Sequence, residues 1–256
     1  VKSLAIVGGA GRMGQALAEG LSATGRFTVA ALVDEQVPRE LFGGRHARSL
    51  DELDAGSIDA VVDFSSPEGV ARSATWCAEH VVALVVGATG LSEEQRQSLH
   101  DTAERVSVVV ASNFSVGAVL TERFAAAAAP YFDRVEIVEL HHDQKVDAPS
   151  GTSLATARHI AHARRAANQA PLVDPTTRFT VEGSRGADGA DGVQIHSVRL
   201  PGLVAHQEVL FGSPGEGLTI RHDSFDRQSF VHGVAVALDA VDTTPKFIDG
   251  ISSLII

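Results

Sequence analysis

Through the first half of the chain, short apolar runs rich in valine, leucine and isoleucine recur without polar alternation at residues 4–7, 27–33, 58–64, 81–86 and 106–111. A strand with one wet face alternates apolar and polar residues. Unbroken runs mark strands covered on both faces, which is what a parallel sheet flanked by crossover helices requires. Helical stretches separate the runs. One spans residues 13–23; Ser66 and Pro67 suit the N-cap and first position of a helix extending towards His80. Ser92 with Gln95 three residues on forms a capping box that opens a helix over 93–105. The pattern predicts a doubly wound α/β sheet.

Beyond Asn113 the grammar changes. An alanine-rich helix over 116–129 ends at Pro130, residues 135–140 read as a strand, and a helix follows Ser150 to Thr152 with Leu154, Ala157 and Ala161 on one face. Extended segments at 194–199, 208–211 and 218–222 follow without intervening helices, predicting a mainly antiparallel sheet. Residues 184–192, with Gly186, Gly189 and Gly192 at a three-residue step, read as a mobile loop. Residues 230–241 read as a helix returning to the first domain. The expected organisation is therefore a first domain of residues 1–112 completed by 229–256, and a second α+β domain of residues 113–228. A length of 256 residues accommodates that pair.

Composition narrows the function classes. Hydrophobic residues make up 44% and charged residues 21%, as in ordinary globular chains and unlike disordered ones. The net charge of −11 and the lack of any basic run beyond Arg164-Arg165 argue against a nucleic-acid partner. No apolar stretch approaches the ~18 residues of a membrane span. The N-terminal residues lack the layout of a signal peptide, and the single Cys77, read as buried and structural, agrees with a reducing compartment. The expectation is a cytoplasmic protein.

Gly8, Gly9, Gly11 and Gly14 lie between the first strand and the first helix, and satisfy both Gly-x-Gly-x-x-Gly and Gly-x-x-Gly-x-x-Gly spacings. A side chain in such a turn would keep a pyrophosphate away from backbone amides, and the helix N-terminus offers unpaired donors to it. Asp34, at the end of the second strand, is placed to accept hydrogen bonds from the adenosine ribose. The turn is thus read as a Rossmann-type dinucleotide site, the alternative being a plain glycine turn with a solvated aspartate. Glu35 and Gln36 follow Asp34 where a reader of the 2′-phosphate would place an arginine. Two like charges ~4 Å apart at an effective dielectric near 20 repel by about 4 kcal/mol. NADH is therefore expected to be preferred, with Arg39 near enough in sequence to leave NADPH open.

The densest chemistry is residues 139–152, Glu-Leu-His-His-Asp-Gln-Lys-Val-Asp-Ala-Pro-Ser-Gly-Thr, which leave a strand, cross a loop and enter a helix. His141, His142 and Lys145 supply proton donors and cations. Ser150, Gly151 and Thr152 place a hydroxyl cap and free amides at a helix N-terminus, a ready anion site. The loop reads as a device for holding a carboxylate or phosphate beside a general acid. The alternative is a set of solvated loop residues. A metal site at His141, His142 and Asp143 is disfavoured, because neighbouring strand residues face opposite ways and no further ligand cluster supports it.

Residues 141–152 resemble the signature of the dihydrodipicolinate reductase family. Further likenesses follow in order along the chain: Gly8 to Gly14; Asp63-Phe64-Ser65 with Pro67; Gly87-Ala88-Thr89-Gly90; residues 111–117; and residues 212–230 with Gly215-Glu216, His222 and Arg227. The resemblance implies an oxidoreductase of the diaminopimelate route to lysine that reduces a cyclic imine dicarboxylate to tetrahydrodipicolinate with NAD(P)H. It assigns His141 as proton donor or acceptor and Lys145 as second proton donor. His142 and Gly151-Thr152 would contact substrate, with Ser150 at the same helix end. Gly8, Gly9, Ala10, Gly11, Arg12 and Met13, with Gly14, Asp34, Gly87, Ala88, Thr89, Ala111, Ser112, Asn113 and Phe114, would line the cofactor. A homotetramer is also implied. Two departures stand out: Ala88 replaces the family's usual threonine, and Asp143-Gln144 replaces a more basic pair. Arg199 and Arg227 are further candidate cations for the substrate. A reductase of another small acid, or a non-catalytic dinucleotide sensor, are the rival readings.

Overall fold

The computed structural model describes residues 1–255. In chain order the elements are β1 (Lys2–Val7), α1 (Arg12–Ala23), β2 (Phe27–Val33), β3 (Arg45–Ala47), β4 (Ala60–Asp63), α2 (Pro67–His80), β5 (Ala83–Val86), α3 (Glu93–Ala103), β6 (Ser107–Val110), α4 (Val116–Ala128), β7 (Arg134–His141), α5 (Gly151–Ala166), β8 (Ala187–Asp188), β9 (Gln194–Arg199), β10 (Ala205–Ser213), β11 (Glu216–Ser224), α6 (Val231–Ala240), β12 (Lys246–Asp249) and α7 (Ser252–Ile255). They form two compact units, one of Val1–Val116 with the chain from Arg227 on, the other of Gly117–Asp226.

The first unit is a seven-stranded sheet in the order β12-β6-β5-β4-β1-β2-β3, with every pairing parallel. Chain order reverses between β1 and β4. That switch point is where an open α/β sheet leaves a crevice beyond the strand ends. Strand side chains such as Leu4, Ile6, Val61, Leu84 and Val108 are wholly buried, as expected of runs covered on both faces. The helix signals act as the sequence implies. Ser66 caps α2 by accepting from the Gly69 amide with Pro67 at the first turn, and both halves of the Ser92/Gln95 capping box are formed. Cys77 is buried.

The sequence reading missed β3 and β12. The second lies parallel to β6 with Phe247 opposite Val108, so the C-terminal segment supplies an edge strand as well as α6.

In the second unit the sheet order is β11-β10-β7-β9-β8, antiparallel throughout except where β7 meets β9. Alternate residues Ile137, Ile195, Val209 and Phe211 form a core with Ala125, Ala157 and Ile160 of α4 and α5. The segment read as a mobile loop is tied down instead. Its residues Ala187–Asp188 pair with β9. A Cβ on Gly186 would meet the Ile195 carbonyl oxygen at 2.4 Å, and one on Gly192 the Leu172 carbonyl oxygen at 2.0 Å. These glycines are there for close backbone approach, not looseness.

Candidate active site

The glycine turn leaves the end of β1 at the switch point. Gly8 has φ +81, and a Cβ there would press on the backbone of Phe64 and Ser65 at 3.0–3.1 Å. A Cβ on Gly14 would sit 2.2 Å from the Gly8 carbonyl oxygen, and one on Gly9 would lie 2.7 Å from Leu32 Cβ. These contacts set the first turn of α1 directly over the end of β1. The Gly11 N-cap has no side-chain hydrogen bond and the first turn holds no acid. The early amides of α1, at Arg12, Met13 and Gly14, are therefore left for an anion, with the helix dipole favouring negative charge.

Asp34 follows β2 and is half-buried. Its Oδ2 accepts from the Ala10 amide and its Oδ1 from the Gln36 amide, each at 3.0 Å. The carboxylate is thereby fixed beside the turn. The residues present fit a dinucleotide: a cradle that side chains would fill, open amides, and a positioned acid. A cleft of about 550 Å³ opens here between Gly8, Asp34, Ser66 and Trp76. Glu35 and Gln36 line it, as do Arg48 and Arg72, whereas Arg39 is not among its lining residues. The sequence reading missed both arginines. Arg48 follows the unrecognised β3, and Arg72 shows only as one charged position on α2.

The remaining cofactor candidates sit at the C-terminal ends of β5 and β6. A Cβ on Gly87 would strike the Phe64 ring at 2.1 Å, and its amide donates to the Asp63 carbonyl oxygen at 2.9 Å. Ala88 is half-buried and Thr89 exposed. Ala111 and Phe114 are buried, with the Phe114 ring 5.5 Å from that of Phe64, so they offer a ligand only backbone. Ser112 is exposed, and Asn113 Oδ1 accepts from the Ser115 amide. Behind this row Asp63 is fully buried. Burial raises its pKa, against hydrogen bonds from Ser65 and Ser73 that favour the carboxylate.

The second constellation lies wholly in the other unit, at the end of β7. Glu139 and His141, two residues apart on one strand, share a face, while His142 is exposed. The Glu139 side chain is completely buried. Its Oε2 is hydrogen-bonded to His141 Nδ1. Arg199 of β9 grips both carboxylate oxygens, Nη2 to Oε1 at 2.8 Å and Nη1 to Oε2 at 3.0 Å, and Nη2 also donates to the Asp147 carbonyl oxygen at 2.7 Å. Lys145 Nζ donates to both Asp147 carboxylate oxygens at 2.8 Å. One polar network thus joins His141 and Lys145. Burial works against the charge on Glu139, but hydrogen bonds from His141, Arg199 and Ser197 outweigh it and hold the carboxyl at about 2. Arg199, a candidate substrate cation from sequence, is committed to this brace; Arg227 belongs to the other unit and is exposed.

Ser150 caps α5, accepting from the Ser153 amide at 3.1 Å. Its hydroxyl also meets Ser153 Oγ, which donates to Gln207 Oε1 at 2.7 Å, and Gln207 Nε2 donates to Thr156 Oγ1 at 3.0 Å. This buried chain ties the helix start to β10. The Ser150 hydroxyl is turned inward, whereas the space over Gly151 is open and Thr152 is half-buried. The cap leaves the amides of Gly151 and Thr152 as the donors of this helix end. Among the described residues no cluster of His, Cys, Asp and Glu is arranged to hold a metal ion.

Comparisons with known proteins cover both halves of the chain. A family model described as "Dihydrodipicolinate reductase, N-terminus" matches residues 2–114, and one described as "Dihydrodipicolinate reductase, C-terminus" matches residues 117–254. The chain is 44% identical over 255 residues to the 4-hydroxy-tetrahydrodipicolinate reductase of Cutibacterium acnes, covering 98% of each chain. It is 40% identical over 260 aligned positions to that of Lactiplantibacillus plantarum, again covering 98% of each. A solved dipicolinate-bound dihydrodipicolinate reductase from Paenisporosarcina sp. TG-14 superposes with a TM-score of 0.88 at 37% identity, over 100% of both chains. With both halves matched by the models of one family, and relatives of 40–44% identity over nearly the whole chain, the chain belongs to the dihydrodipicolinate reductase family.

Proposed function

We propose that this oxidoreductase reduces the cyclic imine dicarboxylate of the diaminopimelate route, with residues 141–152 as its catalytic and substrate-binding stretch. The observation that carries this reading is the network from His141 through Glu139, Arg199 and Asp147 to Lys145, which ties two proton-bearing side chains together on the stretch that leads from β7 into the capped start of α5. When bound, the reduced nicotinamide dinucleotide supplies the hydride. Gly8 to Gly14 would hold its pyrophosphate and Asp34 its ribose, and residues 87–89 and 111–114 would line its nicotinamide half. His141, in its imidazolium form, delivers the balancing proton through Nε2 and is left neutral with its hydrogen on Nδ1, and Lys145 is the second donor. A chain of net charge −11 repels a dianion at long range. Local donors have to reverse that, and Lys145, His142 and the Gly151 and Thr152 amides, backed by the α5 dipole, serve.

Asp34 with Glu35 favours NADH, and Arg48 with Arg72 in the same cleft accommodates a 2′-phosphate, so NADPH is the weaker second cofactor. Within the second unit α4 and α5 pack on one sheet face, and Leu210 on the alternate register is 37% exposed. That face suits association of the second units of four copies into a homotetramer. The buried, unpaired Cys77 supports a cytoplasmic setting. No helix is long and apolar enough to cross a membrane among the described residues.

The test generates the imine in place from pyruvate and aspartate semialdehyde with its synthase and follows absorbance of the reduced cofactor. Steady loss with NADH, and a lower kcat/KM with NADPH, is expected. No turnover of the imine removes the activity, and a strong NADPH preference removes the cofactor assignment.

A further inference from the structure

We propose that Glu139 is the positioning residue of the reaction, a buried carboxylate that fixes the tautomer and ring orientation of His141 and is itself held in place by Arg199. The inference rests on the assignment of His141 above. Glu139 sits two residues before His141 on β7, so the strand pleat alone puts both side chains on one face. A carboxylate can only accept; the His141 nitrogen that faces it, Nδ1, must therefore carry the hydrogen. Nε2 is left to exchange a proton with substrate. When His141 becomes the imidazolium, both ring nitrogens donate, and the carboxylate at Nδ1 stabilises the charge without taking the proton.

A lone buried carboxylate would be a poor orienter, because burial favours its protonation. Here the guanidinium of Arg199 removes that problem with two parallel hydrogen bonds from a residue sixty positions away on the neighbouring strand. The side chain of Glu139 is fully buried, and those of Arg199 and His141 are 19% and 15% exposed. Arg199 also fastens the carbonyl of Asp147, whose carboxylate holds Lys145. One arginine thus sets the positions of both proposed proton donors, and neither Glu139 nor Arg199 is left to touch substrate itself.

Glu139→Gln keeps the shape and removes the charge. Its kcat is expected to fall by about 10² or more, with the KM for the imine and the dissociation constant of NADH changed less than threefold. In a His141→Ala background the same substitution is expected to lower kcat no further, since groups acting as a unit are non-additive. A structural role would give losses that multiply. Nitrogen-15 spectra of the ligand-free wild type supply a readout independent of turnover and of whether the variant folds: they should show the His141 hydrogen on Nδ1. Wild-type turnover combined with the Nε2–H tautomer, with a normal kcat in Glu139→Gln, or with multiplicative losses overturns the inference. Absence of imine turnover in the wild type would instead overturn the functional assignment on which it rests.

Discussion

Asp34 has two tasks in this account, accepting from the Ala10 amide to shape the turn and presenting its carboxylate to a ribose. Hydrogen bonds to a charged group are worth about 1.5–3 kcal/mol, so Asp34→Ala should raise the dissociation constant of NADH by roughly ten- to a hundredfold. Fluorescence titration of the cofactor checks this; unchanged affinity would remove Asp34 from the site. Its position was legible because a glycine turn, a helix and a second strand fix the distance along the chain. His141, Lys145 and the Ser150 cap were legible for the same reason, being packed into one local stretch. Glu139 and Arg48 were not. The role of Glu139 depends on Arg199 arriving from β9, and strand register between distant segments leaves no local mark. Arg48 follows a strand of three residues, too short to show a period.

At the scale of elements, the helices declared themselves wherever a side chain caps them, as Ser66, Ser92 and Ser150 do. Strands of two to four residues at sheet edges, β3, β8 and β12, did not, because what makes them strands is a neighbour rather than their own sequence. The end of α2 carries a strained residue. Val81 stands in the left-handed region with φ 58 and ψ 46, where β-branched residues are rare, and its amide closes the helix on Cys77. That conformation costs an L-residue about 1–2 kcal/mol, while glycine loses roughly 0.5–1 kcal/mol more chain entropy on folding. Val81→Gly should therefore stabilise the protein by about 0.5–1 kcal/mol. A higher urea midpoint at an unchanged m-value would show it. A lower midpoint would mean that the Val81 side chain contributes more through packing than its backbone costs.

Across the whole molecule the two units answer acid differently. Glu139 is held at about 2, below its usual value, so its contribution is complete above that usual value and disappears as pH falls through about 2. Glu136 is held low by Arg185 and His196 despite burial, and Asp223 chiefly by hydrogen bonds from Arg221. All three belong to the second unit. In the first, the carboxyls held low, Glu68 and Asp242, are exposed and count for little, while burial raises the pKa of Asp63, so that protonation of that group favours the fold. Burial raises Glu122 of the second unit in the same way, a smaller offset to its three held-down carboxylates. Acidification below pH 4 should loosen the second unit first. Trp76, the single tryptophan, reports the first unit. Far-UV ellipticity is expected to fall before Trp76 emission shifts, and coincident changes would contradict the ordering.

Turnover depends, on this reading, on His141 handling the proton that accompanies reduction of the imine. Single-turnover decay of reduced-cofactor absorbance, with enzyme and NADH premixed and the imine added last, tests it most directly. The decay in His141→Ala should be about 10² to 10⁴ times slower than in the wild type, with NADH bound equally well. Equal decay rates in the two proteins would contradict the account.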